Sequence, residues 1–560
     1  MDLNRRHLLG AGLSAAGLGG SAGAQVLAPQ WAPGAAPGRD LLIANAKIIT
    51  LDARSSVAEA ALVRDGRIVA VGNYKALRAS ASTTPQYDAG GRVVIPGFVD
   101  NHCHVESACV VADEEPSLHG SGSIAEMIAK LRARAAVTPK GEWVVMQGFP
   151  GDFPGGVTEK RWINRQDLDQ ASQDHPVMVL LGVHASVMNS LAWRQTGYWD
   201  GANAEKVRWR GDGSVRRGSF IHRDEAGHPS GLATEVWDFV PPFSVAQYKA
   251  SVTRHFKDWF LAKGLTSITT LQDAAPAEMM ALQALQQEGL LRARLRVYPM
   301  VPQAIALQDI TRVGWRTGFG NEMFRFGGVK LFVDGAGSDF QGHEVADLKW
   351  TDQGLAEALT SCQQGQLQTI MHVVTKAGWA QALDALETAQ RLAPAALRHR
   401  IDHLTMTDDG LIERARQLGV VCGVTAPRFK PGSRAAAGPG ARLHRYRTLA
   451  EKGMLIAVLD AAIPGGAYHP MQGVANMIAE LKDGGAAPEG EALTLEQALR
   501  AWTLWPAQAN FEGHLKGSIE PGKLGDFTVL SQDPFNRAPA EVYDIGTTAT
   551  IVGGEVVYQA

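Results

Sequence analysis

Two histidines two positions apart, in Asn101-His102-Cys103-His104, close the run GRVVIPGFVD. In an extended segment residues two apart point to the same side, so both imidazoles can reach one metal ion. The intervening Cys103 then points the other way and reads as a small buried apolar residue. Alone, the pair is no more than two histidines at a surface. It gains weight because other apolar runs also end in groups with metal-binding chemistry. Met371-His372 ends one, Arg400-Ile401-Asp402-His403 another, and MLIAVLD finishes at Asp460. Lys330 stands within Val329-Lys330-Leu331-Phe332-Val333, and lysine is rarely fully buried without a partner. Kept neutral by desolvation, its amine can add carbon dioxide to give a carbamate, an anionic bidentate bridge between two ions. The alternative is a lysine whose stem lies along the strand while its ammonium reaches solvent. Together these residues suit metal-assisted hydrolysis, in which a divalent ion acidifies water and polarises a carbonyl.

Such groups act together only if the runs that carry them end in one place. Strand-like runs at Arg92–Val99, Ser267–Leu271, Arg294–Tyr298, Phe326–Val333, Thr369–Val374, Arg400–Leu404, Val420–Val424 and Leu455–Leu459 alternate with Ala- and Leu-rich helical stretches such as Ala377–Leu392. Eight strands with intervening helices are the complement of an α/β (β/α)8 TIM barrel, whose active-site groups sit at the C-terminal strand ends. The gap after the first strand, about 107–250, is long enough to be an inserted subdomain. It carries strand-like runs of its own at Trp143–Met146 and Val177–Leu181. At the two chain ends, Leu41–Leu51 with Ala60–Val71 and Asp526–Leu530 with Ala549–Tyr558 are β-rich pairs with turns at Asp65-Gly66 and Gly553-Gly554. They predict one small β-sandwich built from both termini. The expected division is 40–91 with 513–560 for that sandwich and 92–512 for the barrel.

The polar residues and their flanks resemble the amidohydrolase superfamily, and within it the long branch, family 3, that includes N-substituted formamide deformylases. The likeness spans most of the chain. It is carried by VIPGFVDNHCHVE, DHPVMVLLGVHASVMNS, RDEAGHPSGLATE, GGVKLFVDGA, RHRIDH, GSIEPGKLGDFTVLSQDPF and IVGGEVVY. The resemblance implies that His102 and His104 bind a first metal, that an N6-carboxylated Lys330 bridges, and that His372 and His403 bind a second. It implies that Asp460 also binds metal and is the catalytic residue, accepting a proton from the attacking water and passing it to the leaving nitrogen. His184 matches an inserted-domain histidine near the substrate. Zinc is the expected ion, one or two per chain. Three departures from the family pattern bear on the substrate. Val373-Val374-Thr375-Lys376 replaces a Gly-Asp pair after His372, Asp402 replaces a glutamate, and LDAAIPGG differs from the usual surroundings of the aspartate.

The remaining features limit the function. The 560 residues carry 54 Lys and Arg against 57 Asp and Glu, a net charge of −3, so no basic excess is available to neutralise nucleic-acid phosphates. No run of eighteen strongly apolar residues suggests stable membrane insertion. The four cysteines form neither a CxxC pair nor a disulfide framework. The start, MDLNRRHLLGAGLSAAGLGGSAGAQ, has Arg5-Arg6, a mild apolar stretch and small residues up to Ala24. It reads as a twin-arginine export signal over 1–24, with a flexible lead-in over 25–39, and implies a periplasmic or secreted location. Between Thr425 and Ala450 lie Arg428, Lys430, Arg434, Arg442, Arg445 and Arg447 without an acidic residue. This segment, Arg428 in particular, can hold an anionic group of a substrate, or it can be a solvated face. The aromatic residues of the insertion, Trp143, Phe149, Phe153, Trp162, Trp193, Tyr198 and Trp199, suit a bulky hydrophobic substrate or the subdomain's own core. The favoured reading is hydrolysis of a C–N bond in a small-molecule amide, N-acyl or cyclic amide compound. The alternatives are an ester, lactone or phosphoester hydrolase using the same centre, and an exported binding protein without activity. The sequence leaves homo-oligomerisation open.

Overall fold

The computed structural model describes residues 40–114, 116–148, 156–181, 185–196, 199, 220–234, 243–272, 276–302, 304–335, 348–404, 407–426, 430–432, 445–459, 462–463 and 466–560. The export signal, the lead-in, Phe149, Phe153, His184, Tyr198, Arg428, Arg434, Arg442 and Asp460 lie outside the described residues.

The middle of the chain forms two parallel sheets. The strands are β1 (Phe98–Cys103), β2 (Leu265–Gln272), β3 (Arg294–Pro299), β4 (Gly328–Phe332), β5 (Gln368–His372), β6 (Arg400–Asp402), β7 (Val421–Thr425) and β8 (Ile456–Leu459). A short strand, Phe324–Phe326, precedes β4 and pairs outside β3, so the first sheet runs short strand–β3–β2–β1 and the second β4–β5–β6–β7–β8. An isolated parallel bridge between Met300 and Lys330 joins the two at one seam. Every residue of β1, β2, β3, β4 and β5 is buried. Burial on both faces is why these strands read as apolar runs rather than alternating ones. Helices fill the connections, and three of them are started by a side chain that satisfies an otherwise orphaned amide. Thr351 caps Asp352–Gln364, Thr375 caps Lys376–Leu392 immediately after β5, and Asp408 caps Asp409–Gln417 after β6.

Two of the expected barrel strands are broken, both at glycines in close contact. Arg92–Val99 is not one strand. Val93–Pro96 pairs with strands from the two chain ends, and β1 begins after Gly97, where any Cβ would overlap the Thr266 side chain. Phe326–Val333 is likewise broken at Gly327-Gly328, because a Cβ at the first would overlap the Tyr298 ring and at the second the Gln368 carbonyl. Gly328 also has φ +143, open only to glycine.

The chain ends build a six-stranded sheet in the order Glu555–Gln559, Thr547–Val552, Phe527–Leu530, Val93–Pro96, Lys47–Ile49, Val57–Ala58. A four-stranded sheet, Arg67–Gly72, Ala60–Arg64, Leu41–Ala44, Gln86–Asp88, shares a core with it through Ile43, Val63, Ile48, Val94, Phe527 and Ile551. The run Leu41–Leu51 divides between the two sheets at Asn45, which has φ +50. The hairpin turn Asp65-Gly66 has positive φ at both residues, the geometry that follows strand twist. The segment between β1 and β2 holds a five-stranded sheet and its own core around Leu118, Met127, Leu168 and Val179. Trp193 is buried there with Trp143 and Trp199 packed beside it, so these rings fill the segment's interior. Among the described residues no helix is long and apolar enough to cross a membrane.

Candidate active site

The C-terminal ends of β1, β5 and β6 bring four imidazoles into a continuous row. Ring centroids lie 5.5 Å apart for His104 and His102, 4.8 Å for His102 and His403, and 4.6 Å for His403 and His372. Two imidazoles on one zinc ion, with nitrogen about 2 Å from the metal at a tetrahedral angle, have centroids about 5 Å apart. The spacing of each neighbouring pair therefore fits shared coordination. His102 and His372 are 2% and 4% exposed. His104 and His403 are half-buried.

Strand register sets the level of these groups. Phe332 pairs with His372, and His372 with Asp402, so β4, β5 and β6 end together. Lys330, two residues before Phe332 and on the same face, is 1% exposed, with Nζ 5.3 Å from the Phe332 ring centroid. That ring lies 4.5 Å from His372. Beyond Asp402 the chain turns sharply, and His403 has φ +69. A non-glycine residue in the left-handed region at a strand end is a strained arrangement that the surrounding structure must enforce. It directs this ring towards its two neighbours.

Asp402 fixes His102. Its Oδ2 lies 2.7 Å from His102 Nδ1 and accepts from Arg400 Nη2 at 2.7 Å; both Asp402 and Arg400 are fully buried. Burial, reinforced by the nearby Lys330, His104 and Arg400, holds the His102 pKa well below its ordinary value. The neutral ring then donates Nδ1–H to Asp402 and presents the lone pair of Nε2. This is the carboxylate–histidine arrangement that orients metal ligands. His372 has Nε2 3.2 Å from the Gly335 carbonyl. Among the described residues no three His, Cys, Asp or Glu side chains are already arranged to hold an ion. The donor set inferred from the sequence includes Asp460, outside those residues, and a lysine. The chemistry of the donors and their ring spacing fit a divalent ion.

Three neighbours were not singled out from the sequence. Asp334, just after β4, is fully buried and accepts from Val374 N at 2.9 Å, Thr375 N at 2.8 Å and Thr375 Oγ1 at 2.8 Å. It thereby holds the segment that follows His372. Burial pushes its pKa up to about 6, against the opposing effect of those donors. Arg400 supports Asp402 from the start of the same short strand. Gly423 on β7 leaves room for that carboxylate, since any Cβ there would overlap it. Neither of the first two carried a signal of its own in the sequence, since Asp334 follows a strand and Arg400 opens one.

The described cations of the basic segment are engaged within the protein. Lys430 pairs with Asp544, Arg445 with Asp409 and with Glu491 at 3.2 Å, and Arg447 donates to the Ala492 carbonyl at 3.1 Å. These three hold the segment to its surroundings.

The model of the amidohydrolase family matches residues 86–558. The chain is 27% identical over 551 residues to N-substituted formamide deformylase of Arthrobacter pascens, covering 93% of this chain and 98% of that one. An uncharacterised metal-dependent hydrolase from Pyrococcus horikoshii superposes with TM-score 0.65 at 19% identity, covering 89% of this chain and 99% of the other. An adenosine deaminase from Xanthomonas campestris with bound zinc superposes with TM-score 0.50 at 14% identity, covering 93% of each chain.

Proposed function

The chain belongs to the amidohydrolase family, metal-dependent hydrolases acting on C–N bonds, and on that premise we propose that it hydrolyses an amide, N-acyl or cyclic amide bond in a small hydrophobic or aromatic substrate. The observation that carries the reading is the row of four imidazoles across three strand ends, with His102 fixed by Asp402. A divalent ion in that site, zinc on the preference of mixed imidazole and carboxylate donors, supplies Lewis acidity that brings the pKa of water towards about 7 and polarises the carbonyl. In this reading His102 and His104 would hold one ion and His372 and His403 a second, with Lys330, as its N6-carboxylate, a further ligand. Asp402 keeps His102 in the tautomer that presents Nε2. Asp460, following β8, takes a proton from the attacking water and returns it to the leaving nitrogen. His184 and Arg428 contact the substrate.

The eight parallel strands then form one (β/α)8 barrel from Phe98 to about 512, its polar ends on the C-terminal face where such barrels carry their chemistry. Residues 40–91 with 513–560, together with the strand Val93–Pro96, form a β-sandwich beside it, and about 107–250 an inserted subdomain. Residues 1–24 direct twin-arginine export to the periplasm or beyond.

The test is elemental analysis of the purified protein, combined with rates on N-substituted formamides, aryl amides, cyclic amides and matched esters. One or two equivalents of divalent metal are expected, with amide hydrolysis lost on chelation and restored by zinc. Less than about a tenth of an equivalent, with activity indifferent to the chelator, overturns the reading. Faster cleavage of the matched esters transfers the same centre to ester hydrolysis.

A further inference from the structure

At the other end of the parallel strands, away from the histidines, a second group of charges is buried. Glu512 accepts at Oε1 from Arg296 Nη1 at 3.1 Å and Arg325 Nη1 at 2.9 Å, and its Oε2 lies 2.8 Å from Lys516 Nζ. Arg296, Glu512 and Lys516 are all under 8% exposed. Lys516 also donates to Ser267 Oγ at 2.8 Å, and Arg296 Nε to the Tyr298 hydroxyl at 3.1 Å. Arg294, beside them, is neutralised by a bidentate pair with Asp526 at 2.7 and 2.9 Å. Glu322, at the rim, pairs with Arg67.

Three cations thus share one carboxylate. The three cations hold Glu512 at about 2, despite a burial that alone would raise it, so its charge is permanent and already counted. The surplus is positive and lies where water cannot solvate it well. Two donors have no hydrogen-bond partner, Arg296 Nη2 and Arg325 Nε, against one unpartnered acceptor, Asn510 Oδ1, and all three atoms are buried. Arg296, Arg325 and Asn510 all line one cavity of about 10 Å³. That is room for one small particle. A tetrahedral oxyanion is too large for it. A water molecule satisfies the donors but leaves the charge unchanged.

We propose that this cavity binds one monatomic monovalent anion, chloride in ordinary media, held by Arg296, Arg325 and Lys516. The ligand neutralises the surplus and accepts the two free N–H groups in charge-assisted hydrogen bonds. It also ties β3 and the short strand before β4 to the segment carrying Glu512 and Lys516, which leads into the terminal sheet. Its effect is therefore on stability, and it is independent of the catalytic reading.

The experiment follows thermal unfolding of the full chain while gluconate is replaced by chloride at constant ionic strength. A saturable rise in Tm is expected, half-complete below about 0.15 M and amounting to about 1 °C at ten times the half-saturating concentration. Bromide reproduces it and sulfate does not. A crystal grown in bromide gives an anomalous peak within hydrogen-bond reach of Arg296 Nη2 and Arg325 Nε. Glu512→Gln removes the charge that competes with the anion and lowers the half-saturating concentration at least about tenfold. Coincident unfolding curves in chloride and gluconate, or no bromide peak at those nitrogens, overturn the proposal. Should Glu512→Gln fail to fold, the chloride titration and bromide peak of the parent protein decide it.

Discussion

Asp402 serves His102 and Arg400 at once, each at 2.7 Å and all three buried. Asparagine at 402 keeps the shape and one acceptor oxygen but removes the charge. Arg400 is then a buried cation without its partner, a loss of about 3–5 kcal/mol. His102 is also released from its enforced tautomer, which weakens metal affinity by about 10- to 100-fold. Asp402→Asn should show both effects, by denaturant unfolding and by zinc titration of the metal-free protein. Parental zinc affinity in this variant would show that the contact does not orient the ligand. His102, His104 and His403 could be picked out from the sequence because residue type and spacing at a strand end are local properties. Asp402 stood out only as a substitution in a pattern. Which ring its oxygen meets depends on how β6 faces β1, two strands in different sheets, and no local spacing encodes that.

At the scale of the elements, the strands announced themselves because burial on both faces requires continuous apolar runs. Their breaks did not, since Gly97 and Gly327-Gly328 interrupt no hydrophobic pattern and matter through what approaches them. Asp334 was silent for a related reason. An aspartate after a strand reads as a turn residue, and its hold on Val374 and Thr375 appears only when β4 and β5 are side by side. Gly423 is the sharpest case. A methyl group there overlaps the Asp402 carboxylate, so Gly423→Ala must displace either β7 or Asp402. Overpacking of this kind lowers stability by about 1–3 kcal/mol, and the displaced carboxylate carries His102 with it. We expect Gly423→Ala to lose metal affinity as Asp402→Asn does while still unfolding cooperatively. Gly410→Ala, where the added Cβ makes only an ordinary contact with Asp408, should leave metal affinity unchanged. If both glycine variants bind zinc like the parent, the Gly423 gap has no part in positioning the site.

For the molecule as a whole, pH provides a reading of buried groups far from one another. His399 is 1% exposed, its Nδ1 accepting from Thr369 N at 3.1 Å, and burial lowers its pKa from 6.5 to about 4. The unfolded chain therefore takes up its proton first as pH falls. The stability this neutral ring contributes is complete above 6.5 and is lost between 6.5 and 4, roughly 3 kcal/mol in all. Asp334 has the opposite sign. Its pKa is raised from 3.8 to about 6, so the folded state takes up the proton first, and roughly 3 kcal/mol of stability is gained as pH falls through the same interval. The two contributions largely cancel in the parent protein, and each is exposed by removing the other. Asp334→Asn keeps an acceptor oxygen and no titration, so relative to the parent it should lose roughly 3 kcal/mol more on going from pH 6.5 to 4. His399→Asn, whose Oδ1 can still accept from Thr369, should be spared a loss of the same size. Denaturant unfolding at half-unit pH steps measures both differences, and because each is taken against the parent, groups common to all three proteins drop out. Two variants that run parallel to the parent across the interval would mean that neither side chain titrates differently in the folded protein. Variants that diverge in opposite directions would place a protonatable carboxyl group just after β4 and a neutral imidazole just before β6, strands separated by β5.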